Sequence, residues 1–180
     1  MVYDGIIIAL LVALIRGGKI TNLSEITLKM GWVFPVLLLF QLIIFSLQNE
    51  LAWIGTYSNI AFIFVYLIGL FFLWLNWDQP GFPIITLGVG LNFIVMVLNG
   101  GRMPVSPEAA LALDPTYINA LKHNLYAKHE VITNSTHLAF LGDIIPLSAP
   151  YPKEQVISIG DIIMNIGVFI FIQRVIVKRR

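Results

Sequence analysis

The chain contains no cysteine and few charged residues. Of its 180 residues, 12% are Asp, Glu, Lys or Arg, and three are His. The absence of cysteine excludes disulfides, thiolate metal sites and a cysteine nucleophile. The formal net charge of +1 provides no general electrostatic attraction to nucleic acid, so we expect no nucleic-acid partner.

The chain is rich in hydrophobic residues. Apolar residues make up 58% of the chain and come in long uninterrupted runs. Soluble domains carry about 25% charged residues, and an amphipathic pattern would interrupt such runs every few positions. We therefore predict a polytopic integral membrane protein of all-α class, with one domain over residues 1–180. The expected partners are the lipid bilayer and, as a candidate, another membrane protein.

Five apolar segments are predicted to cross the membrane as helices. The first is only about 22 Å long, short for a bilayer core of about 30 Å. It lacks the basic start and the cleavage site of a signal peptide, so we interpret it as a retained span. An Asp-Gln-Pro-Gly turn at 78–81 joins the third and fourth spans as an antiparallel hairpin. The predicted spans are 1–15, 31–47, 57–77, 82–98 and 157–177.

Two connecting segments are predicted to carry structure of their own. Residues 20–32 place apolar side chains three or four positions apart, which indicates a short interfacial helix. Residues 99–156 form a long external loop that we expect to be helical. Ser106-Pro107-Glu108 and Asp114-Pro115 each combine a helix-capping residue with a proline suited to the first turn. The run 136–141 is apolar enough to dip back into the membrane interface.

The distribution of charge predicts the orientation. Basic residues follow the first span or close the chain, and the long loop holds slightly more acids than bases. Because basic loops favour the cytoplasmic side, we predict a multi-pass plasma-membrane protein. Its N-terminus and long loop would lie outside and its C-terminus in the cytoplasm. The basic residues used here are Arg16, Lys19, Lys29, Arg174, Lys178, Arg179 and Arg180.

Two aspartates are the leading candidates for a functional site. Asp161 opens the last span, and Asp143 lies in the external loop. Two carboxylates in a dry pocket separate their pKa values and can share acid and base catalysis. The alternative is structural, because Ser158 and Asp161 fit a capping box and Asp143 fits a turn. Both roles stay open at the level of sequence.

Arg102 and Asn92 complete the candidate set. Arg102 follows the fourth span on the outer side, where it is either a counter-ion for Asp143 or Asp161 or a headgroup-binding arginine. Asn92 lies within the fourth span, where an amide ordinarily forms hydrogen bonds between helices.

Metal and cofactor signals are weak. His123, His129 and His137 do not have the spacing of metal ligands. The Gly-Val-Gly at 88–90 lacks the third glycine of a nucleotide-binding motif. We expect neither a metal nor a cofactor.

Three motifs follow one another along the chain. They are Asn-Gly-Gly-Arg-Met-Pro-Val at 99–105, Leu-Gly-Asp-Ile-Ile-Pro at 141–146 and Ser-Ile-Gly-Asp at 158–161. In this order they resemble a family of uncharacterised bacterial integral membrane proteins, defined only as a domain of unknown function. The resemblance implies a small multi-span protein with no assigned activity.

The layout of the aspartates is also similar to that of lipoprotein signal peptidases. That family places two catalytic aspartates at the outer membrane face, the second at the start of its last helix. Asp143 and Asp161 match this layout, with Gly167 six residues further on. Ser158 and Gly160 depart from the residues that the family has before its second aspartate.

Two functions are consistent with these features. The first is a non-enzymatic membrane component, an accessory or binding subunit, in which Arg102, Asp143 and Asp161 form a structural ion-pair cluster. The second is an aspartate-dependent membrane hydrolase that uses the two aspartates. Transport is disfavoured because the spans hold too few polar residues to line a path. Carboxyl groups within about 5 Å in an open pocket would favour the hydrolase.

Overall fold

Helices and short strands make up the described chain. The computed structural model describes residues 2–47, 50–113, 128–151 and 154–177. The α-helices are α1 (Val2–Ile15), α2 (Val33–Leu47), α3 (Ala52–Leu75), α4 (Phe82–Leu98), α5 (Pro107–Leu113) and α6 (Ile159–Ile176). The strands are β1 (Met103–Val105), β2 (His129–Val131), β3 (Ile145–Leu147) and β4 (Gln155–Ile157). Short 3-10 helices cover Ile20–Glu25 and Ala139–Leu141.

Helices α2, α3 and α4 pack side by side with alternating direction. Phe72 of α3 contacts Phe82 of α4, and Tyr66 stacks on Phe93, with 6.3 Å between the ring centroids, so α3 and α4 are antiparallel. Helices α2 and α3 are also antiparallel, because Ile44 clusters with Phe62 at one end and Val33 clusters with Phe72 at the other. We call the end where α4 ends and α6 begins the loop end, and the opposite end the basic end.

Helix α6 packs between α1 and α4. It runs parallel to α1, where Gln173 Nε2 donates a hydrogen bond of 2.7 Å to the carbonyl oxygen of Ala9. It runs antiparallel to α4 along a line of glycine pairs. A Cβ on Gly160 would lie 2.7 Å from the carbonyl oxygen of Gly88, and one on Gly167 would lie 2.7 Å from that of Gly81. These glycines let the two backbones approach closely, as small residues do between membrane helices.

Large apolar side chains cover the outside of the bundle. Ile15 is 85% exposed, Phe64 58% and Leu87 56%. Within the described residues, two helical segments have the length and apolarity of a membrane span, Tyr57–Leu75 and Ile159–Ile176. Only 28% of the apolar stretch tested in each segment is buried. The remaining apolar helices of the bundle are shorter.

The helices follow the apolar segments of the sequence, with shifts at their ends. Helix α4 has the predicted bounds, whereas α3 begins at Ala52 rather than at Tyr57. The interfacial helix predicted over 20–32 is wrong in extent, because only Ile20–Glu25 is helical and the rest forms turns. The cause is Asn76, whose side chain accepts a hydrogen bond from the Lys29 amide (2.8 Å) and donates to the Lys29 carbonyl (3.0 Å). These bonds replace those of a helix.

The sequence predicts a helical loop over residues 99–156, but the loop is only partly helical. Besides α5, its described residues form a 3-10 helix and four three-residue strands. β1 pairs with β2 in parallel, and β3 pairs with β4 in antiparallel orientation. Strands this short show no period in the sequence, so the prediction missed them. The second predicted loop helix, at Asp114-Pro115, and the basic residues 178–180 lie outside the described residues.

Candidate functional site

Asp161 closes a capping box at the start of α6. The Asp161 amide donates a hydrogen bond of 3.0 Å to Ser158 Oγ. In return, Asp161 Oδ2 accepts one of 3.2 Å from the Ser158 amide. These bonds satisfy two backbone donors that a helix start otherwise leaves free, and the carboxylate also interacts favourably with the helix dipole. The capping box expected as the structural alternative is therefore present.

Asn92 of α4 extends this network across the helix pair. Its Nδ2 donates a hydrogen bond of 3.0 Å to Asp161 Oδ1, and its Oδ1 accepts one of 2.9 Å from Ser158 Oγ. Asn92 is 4% exposed and Ser158 is fully buried. Gly160 makes room for the amide, because a side chain there would collide with it. Each carboxylate oxygen of Asp161 thus accepts a hydrogen bond, one from α4 and one from its own helix cap.

Asp143 is fixed to β1 by its backbone. Its amide donates a hydrogen bond of 2.8 Å to the Pro104 carbonyl, and its own carbonyl accepts one of 2.9 Å from the Ser106 amide. Gly142 allows this contact, because a Cβ there would lie 2.5 Å from the Pro104 carbonyl oxygen. The side chain is consequently buried against the strands, with 6% of Asp143 exposed.

The Asp143 carboxyl group faces a histidine. His129 Nε2 lies 3.5 Å from Asp143 Oδ2, at the outer limit of a hydrogen bond. Asp143 Oδ1 has no hydrogen-bond partner among the described residues. Burial, reinforced by the negative charge of Asp161 and opposed by Lys128, raises the pKa of Asp143 to about 8. Burial, reinforced by Lys128, lowers the pKa of His129 to about 3. At neutral pH the two groups form an uncharged pair rather than an ion pair.

Lys128 supplies the positive charge of this site. Its Nζ lies 5.6 Å from the centre of the Tyr66 ring, which is within the range of a cation–π interaction. The pKa of Lys128 is raised, chiefly by Tyr66 and further by Asp161 and Asp143, against the opposing effect of burial. Lys128 therefore remains charged beside the two aspartates. No sequence pattern singles out Lys128, because it is the pairing of β2 with β1 that brings it there.

The charge of Arg102 acts on Glu130 in β2. Burial raises the pKa of Glu130, and the charge of Arg102 opposes that rise. The charged groups that shift the pKa of Asp143 are Asp161 and Lys128. Of the four predicted site residues, Asn92 and Asp161 are thus joined by a hydrogen bond and Asp143 is coupled to Asp161 through charge. Arg102 exerts its charge on the neighbouring strand residue Glu130.

One groove among the described residues lies apart from the aspartates. It has a volume of about 370 Å³ and runs between α1, α6 and the β3–β4 hairpin. Its lining is almost wholly apolar and includes neither Asp143 nor Asp161. Within the described ranges, no three His, Asp or Glu side chains are grouped to hold a metal ion. His123 lies outside those ranges.

Comparison with known proteins places the chain in a family. Residues 25–173 match the model of a family of unknown function (DUF5317). The chain is also 34% identical over 171 residues to an uncharacterized protein of Thermotoga maritima, covering 95% of this chain and 89% of that protein. No solved structure matches it. The chain belongs to this family of unknown function.

Proposed function

We propose that the protein is a multi-pass plasma-membrane protein in which α1 to α4 and α6 cross the bilayer. The apolar exterior supports this proposal, because soluble monomers rarely expose contiguous apolar patches of more than a few hundred Å². Here exposed side chains such as Ile7, Leu39 and Phe64 occur on helix after helix. The shorter helices are accommodated by local bilayer thinning, which costs only fractions of a kcal/mol per Å.

The proposed orientation rests on the Lys and Arg residues of the basic end, because such residues are enriched on the cytoplasmic side. Trp32 and Trp74 are 62% and 64% exposed and flank this end, as interfacial tryptophans do. The backbone amide of Lys29 donates a hydrogen bond to Asn76 at the same end, and Arg16 donates one of 2.8 Å to Gln173 Oε1. We place this end in the cytoplasm and the loop end outside, with the N-terminus outside and the C-terminus inside.

Within this arrangement, the role proposed for the protein is that of a non-enzymatic membrane component. The observation that carries this role is the state of Asp161, whose two carboxylate oxygens both accept hydrogen bonds, from Asn92 and from the Ser158 amide. A catalytic carboxylate needs an oxygen that is free to reach a substrate. Asp161 instead joins α4 to α6 directly below the loop, which makes the loop end a rigid surface on which a membrane-protein partner can dock.

The test is the stability of an Asp161→Asn variant in detergent. The amide keeps the shape of the carboxylate, but its nitrogen replaces one oxygen and faces a donor, either Asn92 Nδ2 or the Ser158 amide. The change also removes the favourable negative charge at the start of α6. We expect a loss of about 1–2 kcal/mol, which lowers the melting temperature by about 2–4 °C for each kcal/mol. Asp78→Asn is the matched control, because Asp78 is exposed in the turn before α4. An Asp161 variant as stable as this control would contradict the structural role.

An aspartate-dependent hydrolase is the second candidate, and one observation favours it. Asp143 has an oxygen without a hydrogen-bond partner among the described residues, and its pKa is raised to about 8 beside the negative charge of Asp161. A neutral carboxylic acid beside an ionised one is the arrangement of a general acid and its partner. A hydrolase keeps such groups at the expense of stability, so an Asp161→Asn protein more stable than the wild type would favour this candidate.

A further inference from the structure

A short apolar projection lies at the loop end, next to the last turn of α4. Leu138 is 37% exposed and Phe140 is 60% exposed. We call these two residues the apolar tip. Leu141 points the opposite way and packs on the core cluster that contains Met96 and Met103. The segment therefore divides its apolar side chains between the bundle interior and the outside.

The apolar tip is held in place rather than loosely attached. The side chain of Asn99, which directly follows α4, binds both backbone groups of His137. Asn99 Oδ1 accepts a hydrogen bond of 2.9 Å from the His137 amide, and Asn99 Nδ2 donates one of 2.8 Å to the His137 carbonyl. Leu138 then adopts a left-handed conformation, with φ of 50°. For a leucine this conformation costs about 1–2 kcal/mol, and it is maintained although it leaves two apolar side chains exposed.

The position of the tip indicates what covers it. The tip lies next to Asn99, which binds His137 just before it. The last turn of α4, just before Asn99, exposes Val97 (44%) and Leu98 (48%). The tip thus continues the apolar exterior of the bundle at its loop end. The polar turn before it, from Thr133 to Thr136, is held by its own hydroxyl contacts, including a hydrogen bond of 2.9 Å from the Thr133 amide to Thr136 Oγ1.

We infer that the apolar tip inserts Leu138 and Phe140 into the outer bilayer interface beside α4, as a lipid-binding anchor of the external loop. This inference rests on the membrane insertion proposed above. Burying a large apolar side chain such as Phe offsets the strain at Leu138. The ligand is the lipid surface itself, at the depth where headgroups meet acyl chains, and the clamp by Asn99 sets that depth.

Single-cysteine variants test the inference directly, because the chain has no cysteine of its own. The probes are Leu138→Cys and Phe140→Cys in the apolar tip. Ser135→Cys, in the exposed polar turn of the same loop, is the matched water-facing control. Phe64→Cys, on the exposed face of α3, is the control for insertion of the bundle. Each purified protein is reconstituted into phosphatidylcholine vesicles and allowed to react with a membrane-permeant maleimide, so that its orientation in the vesicle does not matter.

The expected result is that both tip cysteines react at least about tenfold more slowly than Ser135→Cys. Only the thiolate reacts, and a one-unit rise in thiol pKa at an apolar site reduces the thiolate tenfold. Tip cysteines that react as fast as Ser135→Cys, with Phe64→Cys slow, overturn the anchor and leave the membrane bundle intact. If Phe64→Cys also reacts at the rate of Ser135→Cys, the bundle is not inserted and both proposals are overturned.

Discussion

The uncharged pair of Asp143 and His129 gives the fold a specific dependence on pH. The pKa of Asp143 is raised from 3.8 to about 8 and that of His129 is lowered from 6.5 to about 3. The folded protein therefore binds more protons at Asp143 than the unfolded chain does between these pKa values, so the contribution of Asp143 to stability falls as pH rises. The contribution of His129 rises with pH between about 3 and 6.5, because there the unfolded state binds the additional proton.

Below pH 6.5 the contributions of Asp143 and His129 to stability change in opposite directions as pH rises. Above pH 6.5 the change comes mainly from Asp143. From pH 6.5 to 8, His129 is neutral in the folded state and loses its remaining proton in the unfolded state early in the interval, so Asp143 dominates the change. Each fully transferred proton changes the free energy of unfolding by about 1.4 kcal/mol per pH unit. Because Asp143 becomes half ionised in the folded state by pH 8, we expect it to cost the wild-type protein about 1.5 kcal/mol over this interval, which lowers the melting temperature by about 3–6 °C. An Asp143→Asn variant has nothing to titrate at this position and loses none of that amount.

The assay compares the melting temperatures of the two proteins in one detergent at pH 6.5 and pH 8. At pH 6.5 they should be similar, because an amide and a protonated carboxyl group have nearly the same shape and each can donate towards His129 Nε2. Other groups with shifted pKa values, such as Glu130, are present in both proteins and cancel in the comparison. Parallel declines, or a wild-type protein that gains stability towards pH 8, would refute the assignment of a neutral buried Asp143.

Two further changes address how the loop end is assembled. Gly88→Ala should lower the free energy of unfolding by about 1–3 kcal/mol, because the added Cβ overpacks against the backbone of α6. Gly90→Ala should raise it by about 0.5–1 kcal/mol through helix propensity, because a Cβ there meets no atom within 4 Å. Equal melting temperatures for these two variants would argue against the close contact of α4 with α6. Asn99→Ala removes two hydrogen bonds to His137, so we expect a loss of about 1–3 kcal/mol and faster proteolysis of the loop than in Asn134→Ala. A variant as protease-resistant as this exposed-residue control would mean that Asn99 does not hold the loop.

The helical part of the fold could be predicted because long apolar runs and turn residues leave few alternatives. Gly81, with φ of 86°, and the proline that follows Phe82 define the start of α4. The capping box at Ser158 and Asp161 likewise fits the start of α6. Each of these signals lies within a few residues of the feature that it predicts, so the spacing in the sequence is sufficient.

The loop could not be predicted in the same way, because its contacts join residues that are distant along the chain. The three residues of β1 contain a proline and show no alternation, and their partner β2 begins only at His129. Lys128 and His129 reach Asp143 through this pairing, which no local pattern indicates. Arg102, singled out because it follows a span, exerts its charge on Glu130, while Lys128 provides the cation that acts on Asp143.

The two aspartates differ because they lie on different kinds of backbone. Asp161 lies in the first turn of a helix, where its carboxylate accepts hydrogen bonds from the Ser158 amide and from Asn92 of α4. Asp143 lies beside β1, where its amide and carbonyl are already used by Pro104 and Ser106, and its Oδ1 has no hydrogen-bond partner in the part of the chain that the structure describes. Ionising Asp143 would place a second negative charge near Asp161 in a buried site. The negative charge of Asp161 thus helps to keep Asp143 neutral.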